Sequence, residues 1–140
     1  MAIHFFSENV DFKPTNLKIL KTWLKQVIDV ENKKPGHINF ILCSDDFLLD
    51  LNKKYLNHDT LTDIITFQYS DPSEKLVSGD IYISIDRVGE NAALYSTSFL
   101  QEIHRVIVHG VLHLLGYTDK TKLQKTNMHL KEDYYISLLP

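Results

Sequence analysis

Cysteine, long apolar runs and basic residues are all scarce in this sequence. Cys43 is the only cysteine, so no disulfide can form within the chain. No window of about 18 consecutive apolar residues occurs, which argues against a membrane span. The first residues lack a basic region followed by a long apolar run, so we expect no secretory signal. These absences predict a protein of the reducing cytoplasm that does not associate with membranes.

The balance of charge excludes one way of binding nucleic acid. Fifteen lysines and arginines stand against 18 aspartates and glutamates, which gives a formal net charge of −3. Proteins that bind nucleic acid through bulk charge are usually basic. Contact with nucleic acid would therefore depend on a local patch, such as the lysines at positions 120, 122, 125 and 131. The ordinary interpretation of such a run is a solvated helix face.

The apolar pattern predicts four strands and four to five helices. The strands are expected over residues 3–6, 37–43, 63–69 and 80–85, with a loop over 71–79. The helices are expected from Pro14 to just before Asn32, from Ser44 to about Tyr55, from Asp86 to about Leu115, and over 121–138. This order predicts a single α+β domain over residues 1–140, with a mixed four-stranded sheet packed against helices.

The residues that carry chemistry are concentrated in the segment HGVLHLLGYTD, residues 109–119. His109 and His113 are four residues apart, so on a helix both imidazoles project from one face. The surrounding valines and leucines predict a buried helix, where an unpaired polar group costs about 1–3 kcal/mol. The two histidines therefore need partners, either a metal ion or hydrogen-bonding groups of the core.

Gly116 and Asp119 favour the metal ion. Glycine lets the chain turn back sharply after the helix, and this turn can bring Asp119 toward the two imidazoles. Two nitrogens and one carboxylate leave a fourth tetrahedral position for water, as at catalytic zinc sites. A helix cap is the other interpretation of Asp119. We predict one Zn²⁺ held by His109, His113 and Asp119, although nickel, cobalt or manganese also occupy such sites.

Gly110 bears on the type of reaction. In zinc peptidases with the pattern His-Glu-x-x-His, this position is the glutamate that acts as general base. Glycine has no side chain that can act as general base, so this position argues against the peptidase mechanism. The spacing of the two histidines still allows the same metal geometry. Glycine inside a helix costs about 1 kcal/mol relative to alanine, and close packing against a neighbouring strand would explain its presence here.

The segment HGVLHLLGY, residues 109–117, resembles the YbeY family of bacterial, zinc-dependent endoribonucleases that mature ribosomal RNA. Upstream, the segment TDIITF at 62–67 resembles the family's Thr-Asp-Val-Leu-Ser-Phe strand, and GDI at 79–81 resembles its Gly-Asp-Ile strand start. Glu102 and Arg105 fall where the family often carries an acidic residue and an arginine. The likeness covers nearly the whole chain and implies a zincin-like metal helix.

Two positions differ from the family pattern. The family has Asp-His where this chain has Thr118-Asp119, so a carboxylate replaces the usual third histidine ligand, which zinc tolerates. The family commonly has Tyr-Arg where this chain has Tyr55-Leu56, and that arginine is implied in RNA binding or cleavage. His58 is the nearest residue that can take over, by phosphate contact or proton transfer. An ordinary loop histidine is the other interpretation of His58.

Two further residues are candidates for catalysis. Arg105 lies one helical turn before His109 and can reach a phosphate if it faces the cleft. Alternatively, Glu102 holds Arg105 in a structural ion pair. Asp63 is either a catalytic group or, together with Asp80, a group that orients the histidines, since metal-bound imidazoles usually require one.

The resemblance implies an endoribonuclease that acts in ribosomal RNA maturation, at the 3′ end of the small-subunit RNA, and in ribosome quality control. It also implies an RNA precursor, rather than DNA, as substrate and the small ribosomal subunit as partner. Two other functions remain open. One is a zinc peptidase-like hydrolase, which Gly110 argues against. The other is a non-catalytic ribosome-assembly factor with a structural metal, which the two departures from the family pattern favour.

Overall fold

The computed structural model describes residues 2–140 as four strands and five helices. The strands are β1 (Ala2–Glu8), β2 (Lys34–Cys43), β3 (Ile64–Gln68) and β4 (Leu76–Ser84). The helices are α1 (Leu17–Val30), α2 (Asp45–Leu56), α3 (Ile85–Leu94), α4 (Phe99–Leu114) and α5 (Lys122–Ser137). Within residues 2–140, no helix combines the length and apolar character needed to cross a membrane.

The strands form one mixed sheet in the order β1-β2-β4-β3, which confirms the predicted α+β architecture. β2 runs parallel to both of its neighbours, whereas β3 runs antiparallel to β4. The central strand carries Ile38, Phe40 and Leu42, and all three are fully buried, as their alternation predicts. Phe40 is paired with Phe5 on one side and with Ile81 on the other.

The helix that carries the two histidines, α4, packs directly on this sheet. At Gly110, an added Cβ would lie 2.8 Å from the side chain of Ile81 and 3.0 Å from that of Ile64. These distances are too short for non-bonded carbons, so only glycine allows the helix to approach the strands this closely. The close-packing explanation for Gly110 is therefore confirmed, and the helix is held at a fixed height above the sheet.

The single long helix predicted from Asp86 to Leu115 is wrong, because the chain forms α3 and α4 with a break between them. Ser96 adopts a left-handed conformation with φ of 54°, which ends the first helix. Ser98 then caps α4, since its hydroxyl accepts from the backbone N–H of Gln101 while the Gln101 side chain accepts from the Ser98 N–H. Ser84, not Asp86, caps α3.

Several boundaries also differ from the predicted ones. Pro14 lies ahead of α1, which begins at Leu17, so its expected place in a first helical turn is wrong. β2 begins at Lys34 and includes Gly36, although residues 32–36 were expected to separate a helix from a strand. β4 begins at Leu76, inside the expected loop. Polar residues and glycine thus continue both strands, because the paired backbones of β2 and β4 supply the hydrogen bonds.

Candidate metal centre

The three predicted ligands lie together at the end of α4. The His109 and His113 Nε2 atoms are 2.9 Å apart. The Asp119 Oδ2 atom lies 3.4 Å from the first nitrogen and 3.5 Å from the second. Bonds of about 2.0–2.2 Å to a tetrahedral zinc ion imply ligand separations of roughly 3.3–3.6 Å. The two separations that involve Asp119 match this range, whereas the two nitrogens lie closer together and would have to move apart slightly to hold such an ion.

The hydrogen bonds of the two rings leave both Nε2 atoms as acceptors. His113 Nδ1 lies 3.0 Å from the backbone carbonyl of Tyr117, which can only accept, so this nitrogen carries the proton. His109 Nδ1 lies 2.6 Å from a carboxylate oxygen of Glu132 and donates in the same way. Two lone pairs and the Asp119 carboxylate thus face one another. Such an arrangement needs a positive charge between its members, which a proton shared by the two Nε2 atoms or a metal ion supplies.

Glu132 is the carboxylate that orients His109. Its side chain comes from α5 and is 3% exposed, and its second oxygen accepts from Arg105 Nη1 at 2.9 Å. Burial opposes protonation of His109, but the hydrogen bond and charge of Glu132, with Asp119, raise the pKa of His109 above its ordinary value. The orienting group predicted at Asp63 or Asp80 is therefore Glu132 instead. Asp80 bonds to Asn39 and Tyr69.

The turn after α4 delivers Asp119 to the histidines. Gly116 adopts a φ of +104°, which favours glycine, and it reverses the chain as predicted. The cap of α5 is Thr121, whose hydroxyl accepts from the backbone N–H of Gln124. The capping interpretation of Asp119 is therefore wrong, and its carboxylate remains available for a metal ion.

A partly buried polar cluster holds this turn in place. Tyr117 donates to Glu31 at 2.7 Å, and Tyr135 donates to the other oxygen of the same carboxylate. Lys131 lies 3.2 Å from Glu31. Burial alone would raise the pKa of Glu31, but the bonds from Tyr135, Tyr117 and Lys131 lower it below its ordinary value. Since the Tyr117 carbonyl accepts from His113, this cluster supports the second imidazole.

Comparisons with known proteins agree with this geometry. The family described as "Endoribonuclease YbeY" matches residues 3–139. An endoribonuclease YbeY of Amoebophilus asiaticus is 50% identical over 96% of this chain and 90% of its own length. Another from Flavobacterium psychrophilum is 47% identical over 95% and 94%, respectively. The chain belongs to the YbeY endoribonuclease family. The resemblance inferred from the residues is thereby confirmed.

A solved structure gives the same answer for the fold. The solution structure of a Thermotoga maritima protein superposes with a TM-score of 0.67 at 29% identity, covering 96% of this chain and 87% of that one. In this YbeY-family chain, His109 and His113 lie on α4, and Asp119 follows the Gly116 turn as the third member of the group that could hold a metal ion. The aspartate lies at the place that the family pattern assigns to histidine, so the departure changes the donor atom and its charge but leaves the group of three intact.

A cleft of about 840 Å³ opens beside these ligands, between α3, α4 and α5. His109 and Asp119 line it at one end. The residues around it include five carboxylates but only two permanently cationic side chains, Arg105 and Lys125. In this YbeY-family chain, the cleft is thus acidic, and a bound cation would offset part of its negative charge.

Arg105 faces this cleft but is not paired with Glu102. Its guanidinium donates to Glu132 at 2.9 Å and to Asp133 at 2.6 Å, and the side chain is 31% exposed. The predicted ion pair with Glu102 is therefore wrong. Arg105 and His109 share the same carboxylate, so the arginine braces the group that orients a metal ligand.

Asp63 and His58 lie in different surroundings. Asp63 precedes β3 and lines the cleft, where its carboxylate accepts from Asn91 at 3.3 Å. Burial raises the pKa of Asp63, although the nearby His109 opposes the shift. His58 is exposed on the loop between α2 and β3, and among residues 2–140 it is not part of the cleft lining.

Two groups of the site are absent from the residues singled out in the sequence. Glu132 follows Met128 by four residues and precedes Tyr135 by three, and these three form the buried stripe of α5. A glutamate on an apolar stripe is the signal that could have identified it. Glu31 carries no comparable signal, because it ends α1 and meets Tyr117 and Tyr135 only in the folded chain.

Proposed function

We propose that this chain is a zinc-dependent endoribonuclease that matures ribosomal RNA, acting at the 3′ end of the small-subunit RNA and in ribosome quality control. The observation that carries the proposal is the convergence of one potential ligand atom from each of His109, His113 and Asp119 on one point. Nitrogen and carboxylate donors suit zinc in particular. When bound, such an ion polarises a phosphoryl oxygen and lowers the pKa of water.

Arg105 supplies charge to the phosphate in this proposal. A guanidinium has five N–H donors, and only two of those on Arg105 are used by Glu132 and Asp133. The remaining donors are free to bind a phosphate oxygen in the cleft. Lys125 lines the same cleft from α5 and gives a second cationic contact. Because the cleft is otherwise acidic, these two side chains restrict where the RNA backbone can lie.

Asp63 is the group that we assign to proton transfer. Its carboxyl group lies in the cleft close enough to His109 for their charges to interact, and burial raises its pKa above the ordinary value, which makes the carboxyl group a better proton acceptor. His58 remains a candidate for phosphate contact outside the cleft, because RNA extends beyond any single pocket. Unchanged cleavage by His58→Ala would remove His58 from the proposal.

The proposed partner is the precursor of the small-subunit ribosomal RNA, within or near the small ribosomal subunit, and the proposed location is the cytoplasm. The endoribonuclease names of the relatives support RNA as the substrate. The lone, buried Cys43 fits a reducing compartment, since burial raises the pKa of its thiol to about 12 and keeps it unreactive.

The proposal is tested by zinc content and RNA cleavage measured on the same preparations. His113→Ala and Asp119→Ala should each lose zinc and cleavage together, while His37→Ala, an exposed histidine outside the cleft, should keep both. Cleavage that survives the loss of zinc would contradict the proposal. If zinc-free His113→Ala protein restores ribosomal RNA processing in cells, the chain is a non-catalytic assembly factor instead.

A further inference from the structure

Glu102 is a buried carboxylate without a hydrogen-bond or ion-pair partner among residues 2–140. It lies on α4 two turns before His109, and only 6% of it is exposed. Its carboxylate forms no hydrogen bond or salt bridge with any residue of the described chain, 2–140. Arg105, one turn away, is committed to Glu132 and Asp133. Leaving such a charge unpaired is costly, so a ligand that pairs with it would be stabilised here.

The unpaired oxygens of Glu102 open onto the cleft. In residues 2–140, every fully enclosed side-chain nitrogen or oxygen has a hydrogen-bond partner, so the unbonded oxygens of Glu102 must reach solvent. The cleft is where they do so, since Glu102 lines its wall. Burial raises the pKa of Glu102, and the nearby Asp63 raises it further. A ligand that donates hydrogen bonds would reverse this shift by stabilising the charged form.

A second metal ion does not fit this end of the cleft. Within residues 2–140, the only set of three side chains able to hold an ion together is His109, His113 and Asp119. Glu102 and Asp63 have no third ligand of that kind beside them. A phosphate group is also excluded, because two carboxylates would repel it. Among the chemical groups of an RNA substrate, what remains is a neutral group that presents hydrogen-bond donors.

RNA bases provide such donors on their Watson–Crick edges, which proteins read in single-stranded RNA. Guanine is the base that presents two adjacent donors on that edge, the N1–H and the 2-amino group, and a carboxylate can accept both. Tyr95 also lines the cleft and is 64% exposed. An exposed aromatic ring in the same cleft as an unpaired carboxylate offers the stacking surface that an unpaired base needs.

We propose that Glu102 and Tyr95 form a guanine-binding subsite, which selects RNA by the base next to the cleavage point. Glu102 accepts from the N1–H and the 2-amino group, while Tyr95 stacks on the ring. This inference rests on the proposed endoribonuclease activity and adds a sequence preference to it. It places base recognition in the same cleft that His109 and Asp119 line.

The test is cleavage of a randomised RNA library, followed by sequencing of the new ends. The wild-type protein should enrich guanine at one fixed position beside the cut. Glu102→Gln should lower that enrichment about 5- to 150-fold and shift it toward adenine, which an amide recognises through N6 and N7. Glu90→Gln is the matched control, because it removes one exposed negative charge from α3 and does not line the cleft.

A single substrate separates base recognition from folding defects. Replacing its guanine by inosine removes the 2-amino group, which should raise KM for the wild type with kcat unchanged and leave KM for Glu102→Gln unaffected. Tyr95→Ala should raise KM for both RNAs and keep the base preference. Equal base frequencies around the cut, or a guanine preference that survives Glu102→Gln, would overturn the subsite while the nuclease stands.

Absence of cleavage by the zinc-loaded wild type would instead contradict the proposed function. In that case, the guanine-binding subsite can still be tested by fluorescence anisotropy, which compares the affinity of the protein for guanine-containing and inosine-containing RNA. Tighter binding of the guanine form that disappears in Glu102→Gln supports the subsite. Equal binding of the two RNAs by the wild type would contradict it.

Discussion

The two imidazoles of the candidate metal centre are held in different ways. His109 donates to the carboxylate of Glu132, a side chain of another helix that also accepts from Arg105. His113 donates to the backbone carbonyl of Tyr117, only four residues further along the chain. One support is therefore a charged side chain reached through tertiary packing. The other is a peptide group placed by a local turn.

This difference predicts how each half of the site responds to mutation. A side-chain support can be removed by one substitution, and its charge acts directly on the metal ligand. A backbone carbonyl remains whichever side chain is substituted. The hydrogen bond from His113 is therefore weakened only when the turn that positions the Tyr117 carbonyl becomes less rigid. The cluster around Glu31 restrains that turn through the Tyr117 hydroxyl. We therefore expect a strong effect at Glu132 and weaker effects at Tyr117 and Glu31.

Removing the charged support should have the largest effect. Glu132→Gln keeps the size of the side chain but removes the charge that strengthens the bond from His109 Nδ1, so zinc affinity should fall about 10- to 100-fold. Competition with a chelator of known affinity measures it. Asp133→Asn is the matched control, because it removes a carboxylate from the same Arg105 without touching His109. Equal losses of zinc affinity in the two variants would show that the affinity depends on the net charge around Arg105 and not on the contact between Glu132 and His109.

Loosening the turn should have a smaller effect. Tyr117→Phe removes the hydroxyl that donates to Glu31 but leaves the carbonyl that accepts from His113. Zinc affinity should fall by less than about tenfold, while the free energy of unfolding of the metal-free protein falls by about 1–3 kcal/mol. Chelator competition and urea denaturation measure the two quantities. A loss of zinc affinity as large as that of Glu132→Gln would contradict the claim that the Glu132 side chain matters more for zinc binding than the turn at Tyr117.

The smallest expected effect is a pH dependence of stability at Glu31. Its pKa is lowered in the folded protein, so its stabilising contribution is complete above the ordinary value of about 4.5 and disappears as the pH falls through the folded value. The stability difference between wild type and Glu31→Gln should be constant from pH 7 to about 5 and then shrink with acid. Urea denaturation at several pH values measures it. A difference that grows on acidification would contradict this account.

Much of the fold follows from local patterns in the sequence. The alternation over Ile38, Phe40 and Leu42 predicts the central strand, and the glycine at 116 predicts the end of the metal helix. The break between α3 and α4 was missed because the residues on both sides have helical periodicity. It depends on one left-handed serine, Ser96, and on the capping box that begins at Ser98.

The ligands of the site could be predicted, whereas their supports could not. His109, His113 and Asp119 lie within eleven residues, where helix and turn geometry are regular enough to place them. Glu132 and Glu31 reach the site from α5 and the end of α1, so their contacts depend on how the helices pack. The sequence likewise cannot predict that Glu102 lacks an ion-pair partner among residues 2–140, because this depends on Arg105 pairing with Glu132 and Asp133 instead.

The most direct measurement is a crystal structure of the zinc-loaded protein with anomalous scattering recorded at the zinc edge. One peak should lie about 2.0–2.2 Å from His109 Nε2, His113 Nε2 and an oxygen of Asp119. The Nδ1 atoms of the two rings should keep their bonds to Glu132 and to the Tyr117 carbonyl. A peak bound elsewhere, or one bound to both histidines with Asp119 turned away, would contradict the account.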